Sequence, residues 1–421
     1  MRQLLSYGLI FIASILARPA AAQDAFALWL ADLRHEARQQ GISDQVADVV
    51  VNQIAFLPNT IKLDRAQPEF VSPFIEYYLK RVDAKKIQKG RALLQTHSAL
   101  FDAIEAQYGV SKYTLVAFWG METQYGAYQG KIDVLSTLAT LAFEGRRADF
   151  FRSQLLDAMR MVDLGHVSID RFKGSWAGAF GNMQFMPTTF MFYAVDGDGD
   201  GRVDVAGSLA DAFASAANYL ARVGWHAKQP VMLEVELPPD FDWQSAQLTL
   251  RKSTLDWAQS GVKAAVGGSD ASGAGKGVQF LAGLPETDSE AAIILPQGAL
   301  GPAFMVFGNF DVILDWNRSV NYALSVAQLA KRLKGEPRLV GGKHAEQGAL
   351  TYQQMLHLQH ALNTLGFDAG IPDGLPGLKT QSAVRAYQRS RHLPADGYAS
   401  PSLYESLLPQ VMELVGAELS Y

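Results

Sequence analysis

From Phe26 to about Trp225, apolar residues recur three and four positions apart, as in Phe101, Ile104 and Tyr108 or Leu209, Phe213, Ala216 and Leu220. That period belongs to a helix with one buried face, and its persistence over this length predicts one large helical body. The pattern breaks after Val231. Alternating Val231, Leu233 and Val235, a Gly- and Ser-rich run from Gly267 to Gly277, and an apolar Ala291–Leu295 flanked by turn residues predict a small strand-containing insertion over about 231–302. Helical spacing returns at Asn317–Leu333, where Tyr322, Val326 and Leu329 share a face.

Residues 334–349 hold Gly, Lys and Glu with few large apolar side chains, which reads as an exposed linker to a separate module at 350–421. Leu358, Leu362 and Leu365 lie on one helix face, turns fall at Asp373-Gly374 and Asp396-Gly397, and Val384, Tyr387, Leu403 and Leu407 supply further apolar positions. Three short helices fit this order.

At the start, Met1-Arg2, an apolar run from Leu4 to about Leu16 and Ala20-Ala21-Ala22 have the form of a secretory signal peptide over residues 1–22. The run is short for a membrane span, and no comparable run follows, so no membrane anchor is expected. Cysteine is absent, which excludes disulfides, thiolate metal sites and a lipidated cysteine. The expected location is therefore the periplasm, as a soluble protein. The net charge of −5 disfavours nucleic acid as a partner. No two of the eight histidines stand at metal-ligand spacing, which argues against catalytic zinc.

One apolar helical run, Leu115-Val-Ala-Phe-Trp-Gly-Met121, delivers Glu122 at its end. Desolvation there favours the protonated carboxyl, and such a group can serve as a general acid near neutral pH; an ordinary solvated glutamate is the alternative. The segment from Lys173 to Pro187 is dense in Gly and aromatic residues and carries isolated polar side chains at Ser175 and Gln184. Small residues admit a ligand close to the backbone, and Ser and Gln offer directional hydrogen bonds of the kind a sugar needs. A tightly packed corner would look the same. A third constellation, Asp196, Asp198, Asp200, Gly201 and Arg202, repeats the alternating oxygen ligands and sixth-position glycine of a calcium loop, although Gly207 stands where a twelfth-position Glu is usual.

In Gly120-Met-Glu-Thr-Gln-Tyr-Gly126, Glu144-Gly-Arg-Arg-Ala-Asp-Phe150, Gly178–Pro187 and Asn218-Tyr219, the chain resembles the membrane-bound lytic transglycosylase B family, in a form without the lipid anchor. The resemblance runs from about Phe26 to Leu333. It implies a mainly α fold, with a lysozyme-like helical catalytic core at 23–333 and a small α/β insertion. Glu122 becomes the acid/base catalyst, acting without a catalytic cofactor. Ser175 and Gln184 would bind the sugar beside it. Tyr77, Tyr219 and Tyr322 fall where family aromatics line the glycan groove, and Asn317 falls at a cleft asparagine. Tyr78 would serve almost as well as Tyr77, and Trp316 departs from the tyrosine expected before that asparagine. Arg146 and Arg147 fall near the cleft, where they would meet carboxylates or else form a structural ion pair. The calcium set becomes Asp196, Asp198, Asp200, the Arg202 carbonyl and Asp211, one residue later than usual, with Asp204 binding through water.

The tail, through Leu358–Gly366, Pro372-Asp-Gly374, Thr380, Tyr387-Gln388 and Leu393–Gly397, resembles a peptidoglycan-binding type 1 domain of three helices. The resemblance as a whole implies cleavage of peptidoglycan glycan strands between N-acetylmuramic acid and N-acetylglucosamine, with 1,6-anhydro products. Proteins of cell-wall synthesis or division are candidate partners. A hydrolytic muramidase on the same fold and a wall-binding protein without activity stay open.

Overall fold

The computed structural model describes residues 24–65, 72–265 and 289–418, so the leader at 1–22 and the Gly/Ser-rich run at 267–277 lie outside the described residues. The chain divides into two compact units: one joins 1–67 with 122–219, the other joins 68–121 with 220–421.

The first unit is helical, and the helix Val134–Glu144 runs through its middle with every residue from Val134 to Ala142 buried. A helix that is apolar all round must be enclosed, and two of its hydroxyls hold neighbouring backbone. Ser136 Oγ accepts from Ala55 N at 3.0 Å and Thr140 Oγ1 from Leu57 N at 2.9 Å, tying down the chain between two outer helices, Asp44–Gln53 and Pro58–Arg65. Asp133 caps the central helix by accepting from Ser136 N at 2.8 Å, and Gly145, at φ 97°, ends it. The amphipathic helix Ala148–Asp163 covers it with Phe151, Leu155, Ala158 and Met159.

In the second unit, helix Val320–Lys334 packs on Phe74–Arg81 and Ala84–Thr96, Ala84–Thr96 packs on Ser98–Tyr108, and residues Thr114–Met121 of the helix Lys112–Thr123 are all buried. A five-stranded antiparallel sheet follows in the order β4 (Lys252–Ser253), β6 (Glu290–Ile294), β7 (Ala303–Val306), β3 (Met232–Glu236), β5 (Lys263–Ala264). The expected insertion boundary at 302 is too early, because β7 pairs with both β3 and β6. Its four residues are buried on both faces and so carry no alternation to read. Ala303 and Met305 join Trp257, Phe241 and Ile293 in the insertion's own core, while Phe304 meets Phe74 edge-on at 5.4 Å.

The stretch 334–349 is not a free linker. Glu234 of β3 accepts from Val340 N at 3.0 Å and Gly341 N at 2.6 Å, and Glu346 accepts from Ser402 Oγ at 2.6 Å. Buried Ala345 and Leu350 complete the attachment.

The module contains the helices Tyr352–Thr364, Leu378–Ser390 and Pro401–Glu418 around Leu358, Leu362, Val384, Tyr387, Leu403 and Leu407. Thr351 and Gln354 form a capping box at its entry. It is seated on the insertion: Asp396 accepts from Ala299 N at 2.7 Å, Arg385 donates to Ala246 O at 3.2 Å, and Arg389 donates to Gln244 Oε1 at 3.1 Å. Tyr398 lies in this contact, where burial, with Glu346 and Asp396 nearby, pushes its phenol up to about 12.

Candidate active site

Glu122 is half-buried at the last turn of Lys112–Thr123, and the chain then takes an uncommon path. Gln124, Tyr125 and Gly126 are all left-handed, with φ of 52°, 62° and 78°. Two consecutive non-glycine residues in that region cost free energy that surrounding contacts must offset, and such strain gathers at functional sites. The offset comes chiefly from Thr123, which is fully buried. Its Oγ1 accepts from Gly126 N at 3.0 Å and donates to Asn182 O at 2.9 Å, while Tyr128 N donates to its carbonyl at 3.0 Å.

Asn182 carries the tie onward. Its N–H donates to Val205 O at 2.9 Å and its Nδ2 to Ala206 O at 3.0 Å, and Gln129 Nε2 reaches the same Ala206 carbonyl at 3.2 Å. The turn after Glu122, the Gly178–Pro187 segment and the end of the acidic loop are thus joined through one buried asparagine, 3% exposed.

The segment bearing Ser175 and Gln184 is held by β1 (Ile132–Asp133) and β2 (Lys173–Gly174), which pair Ile132 with Gly174. Gly130, at φ 95°, lies so close that a Cβ there would fall 2.0 Å from Gly174 O. Ser175 Oγ accepts from Ala179 N at 3.1 Å and Ala177 N at 3.3 Å, so the hydroxyl closes its own turn and keeps its O–H to donate. Gln184, at φ 50°, gives both amide hydrogens to backbone, at 3.1 Å to Gln129 O and 3.0 Å to Gly181 O, which leaves Oε1 to accept. Tyr219 is 9% exposed and meets Tyr193 edge-on at 4.9 Å. Glu122, Ser175, Gln184 and Tyr219 therefore share the first unit.

Arg146 and Arg147 share it too, but as a structural cluster. Both pair with Asp64, which is 3% exposed: Arg146 at 2.6 Å to Oδ2 and Arg147 to Oδ1. The ion pair open in the sequence is present, and the arginine side chains stay 49% and 40% exposed.

The remaining aromatic candidates belong to the second unit. Tyr77 is buried with Arg81 stacked 5.3 Å from its ring, and neighbouring Tyr78 is buried as well. Asn317 caps the helix Gly308–Trp316, and its Oδ1 accepts from Ser319 N at 3.1 Å. Trp316 and buried Tyr322 pack on Phe118, at 4.8 and 6.3 Å between ring centres.

In the acidic loop, carboxylate oxygens of Asp196, Asp198 and Asp211 lie within 4.8 Å of one another. Asp211, 1% exposed, accepts from Gly197 N at 2.8 Å and Asp204 N at 2.6 Å and so closes the loop on itself. Asp196 accepts from Gly201 N at 2.8 Å and Gly199 N at 2.6 Å, and these hydrogen bonds hold its carboxyl below the usual range. Asp200 is exposed, accepts from Arg202 N at 2.8 Å and stands outside the group formed by Asp196, Asp198 and Asp211. Thr123, Asn182 and Gln129, which tie the site together, carry no periodic signal; Thr123 and Asn182 stand inside the Gly120–Gly126 and Gly178–Pro187 motifs, whereas Gln129 lies outside both and had no cue.

Residues 25–331 match the family described as Transglycosylase SLT domain, and 351–407 match a peptidoglycan binding domain. A relative, membrane-bound lytic murein transglycosylase B of Escherichia coli strain K12, is 27% identical over 311 residues, covering 70% of this chain and 79% of that protein. The crystal structure of SltB3 from Pseudomonas aeruginosa in complex with NAG-anhNAM-pentapeptide aligns at TM-score 0.84 and 40% identity, over 91% of this chain and 99% of that one. The Escherichia coli lytic transglycosylase Slt35 in complex with calcium aligns at TM-score 0.61 and 25% identity, over 72% of this chain and 92% of that one. On the extent of these matches and the order of its motifs, the chain belongs to the SLT-domain lytic transglycosylases, peptidoglycan-cleaving lyases, here joined to a C-terminal peptidoglycan-binding domain.

Proposed function

We propose that Glu122 is the single acid/base of this lytic transglycosylase, acting on the β-1,4 bond between N-acetylmuramic acid and N-acetylglucosamine. The observation that carries the reading is the tie from Thr123 to Asn182, which fixes the half-buried Glu122 turn to the segment bearing Ser175 and Gln184. A glycosidase with two carboxylates divides acid and nucleophile or base between them. Here one carboxyl does both jobs in turn. Glu122 protonates the glycosidic oxygen, the substrate's N-acetyl group stabilises the positive charge at C1, and ionised Glu122 then takes the proton of the muramic C6 hydroxyl. The C6 oxygen closes onto C1 and forms the 1,6-anhydro ring. Ser175 O–H and Gln184 Oε1 bind the sugar beside Glu122 with Tyr219 of the same unit, and Tyr77, Tyr322 and Asn317 are the candidate glycan contacts carried by the other unit.

The acidic loop suits a structural calcium ion: three carboxylates converge, one of them buried, and the donors are hard oxygens. Asp196, Asp198, Asp200, the Arg202 carbonyl and Asp211 would hold it. Through Asn182, an ordered loop steadies the turn after Glu122 without entering the chemistry. The module tethers the enzyme to the wall and raises its effective concentration there. No helix among the described residues is long and apolar enough to cross a membrane, and the signal-like leader supports a periplasmic location.

The test is mass spectrometry of soluble products from purified peptidoglycan digested by the wild type and by Glu122→Gln. Anhydromuropeptides that fall at least roughly 100-fold in the variant support the reading. Reducing muropeptides, one water heavier, would assign hydrolysis instead.

A further inference from the structure

The two Asp-Gly turns of the C-terminal module are built to one plan. In the first, Gln359 Nε2 donates to Asp373 Oδ1 at 2.9 Å, its Oε1 accepts from Gly374 N at 2.8 Å, and Leu375 N donates to Asp373 Oδ1 at 2.9 Å. In the second, Gln388 Nε2 donates to Asp396 Oδ1 at 2.6 Å, its Oε1 accepts from Gly397 N at 2.9 Å, and Tyr398 N donates to Asp396 Oδ1 at 2.8 Å. The glycines are left-handed in both, at φ 73° and 78°. Most of the polar motif is thereby spent on holding the turns, and what each corner still offers is the second carboxylate oxygen.

At the second corner that oxygen has a ligand from the chain itself. Asp396 Oδ2 accepts from Ala299 N at 2.7 Å, and Gly298 lies so close that a Cβ there would fall 2.8 Å from Asp396 Oδ2 and 3.0 Å from Tyr398 Cβ. The corner grips a peptide backbone of small residues. The first corner faces outward. Asp373 is exposed, and its Oδ2 has no hydrogen-bond partner among the described residues. Around it stand exposed apolar side chains: Ile371 at 89%, Leu378 at 78%, Tyr352 at 51% and Leu375 at 46%. The Tyr352 ring lies against Gly374, where a Cβ would come within 2.3 Å of it. Lys379, its side chain 73% exposed, adds a cation at the rim with Asp368 3.8 Å away.

We propose that the Asp373-Gly374-Leu375 corner is the docking site for the peptide stems of peptidoglycan. Asp373 Oδ2 accepts a stem amide N–H as Asp396 accepts that of Ala299. Small alanine side chains lie over Tyr352, Ile371 and Leu378, and Lys379 faces a stem carboxylate. A peptide fits better than a glycan, because the equivalent corner holds backbone and, among the exposed apolar side chains described around this corner, only the Tyr352 ring could stack on a sugar. The proposal rests on reading the module as peptidoglycan-binding.

The test uses the full chain carrying Glu122→Gln, so that the wall is not digested during the measurement. Asp373→Asn keeps the Oδ1 acceptor that builds the corner and replaces the free Oδ2 with a donor; Leu378→Ser alters an exposed position. Asp373→Asn is expected to weaken co-sedimentation with purified peptidoglycan roughly tenfold, the worth of one hydrogen bond to a charged acceptor, and Leu378→Ser about threefold. Soluble stem pentapeptide should slow hydrogen exchange at 371–378, and peptide-free glycan should not. Sedimentation of both variants like the parent overturns the proposal, as does protection confined to other parts of the module or given equally by peptide-free glycan. A parent chain that fails to sediment at all, or sediments without any protection of the module, removes the module's wall-binding role and the corner with it.

Discussion

Thr123 Oγ1 donates to the carbonyl of Asn182 at 2.9 Å, between two side chains that solvent barely reaches. The bond joins the residue after Glu122 to the segment that carries Gln184. Thr123→Val keeps the shape and strands the Asn182 carbonyl and the Gly126 N–H. A loss of about 1–3 kcal/mol is expected in denaturant unfolding. Turnover should fall more than KM rises, because the turn bearing the carboxyl loosens, and Thr123→Ser should restore most of it.

Asp64 faces two arginines from a buried position, whereas Arg146 and Arg147 keep 49% and 40% of their side chains exposed. Removing the buried partner therefore does the greater harm. Asp64→Ala is expected to cost about 2 kcal/mol or more, tempered by the arginines' access to water, and Arg146→Ala about 1 kcal/mol. Thermal unfolding checks both. KM for glycan strands should stay within about twofold in Arg146→Ala, since the guanidinium is held by Asp64 rather than by substrate.

Calcium added to the wild type at about 100 times its dissociation constant should stabilise it by about 2.7 kcal/mol, read as a rise in melting temperature. Asp211→Ala should abolish that rise. It should also lower the melting temperature without added ion, because Gly197 N and Asp204 N lose their acceptor. A response that survives in Asp211→Ala would place any ion elsewhere.

The phenol of Tyr398 should ionise near 12, against an ordinary value of 10, because burial disfavours its charged form. Because its folded value is raised, the stabilising effect is complete below about 10 and is lost as pH climbs through about 12. Ultraviolet titration of Tyr398→Phe against the wild type isolates this step. The seating of the module on the insertion should loosen over that window in the wild type, and Tyr398→Phe should lack this pH dependence.

Much of the helical body was legible because burial on one face imposes a period, as at Tyr322, Val326 and Leu329. The half-buried place of Glu122 at a helix end was legible through the apolar run before it. β7 was not, because a strand enclosed on both faces alternates nothing. The attachment of 334–349 was hidden for a different reason: Glu234 binds backbone N–H groups, and backbone donors look alike in every sequence. The pairing of Arg146 and Arg147 with Asp64 joins residues far apart in the chain, which spacing cannot express. In the module, Gln359 and Gln388 stood in the quoted motif, but only geometry separates the polar atoms that hold a turn from those that face water.

Gly130 and Gly174 bring two stretches of backbone into contact with no side chain between them. Packed protein interiors transmit strain, and a contact of backbone on backbone has no rotamer to change in response. No side chain stands between the Ser175 turn and the loop leading out of Glu122 at this contact. The Ser175 turn and the loop after Glu122 are therefore expected to move as one, so that under the proposed function a sugar held at Ser175 would act directly on the mounting of Glu122.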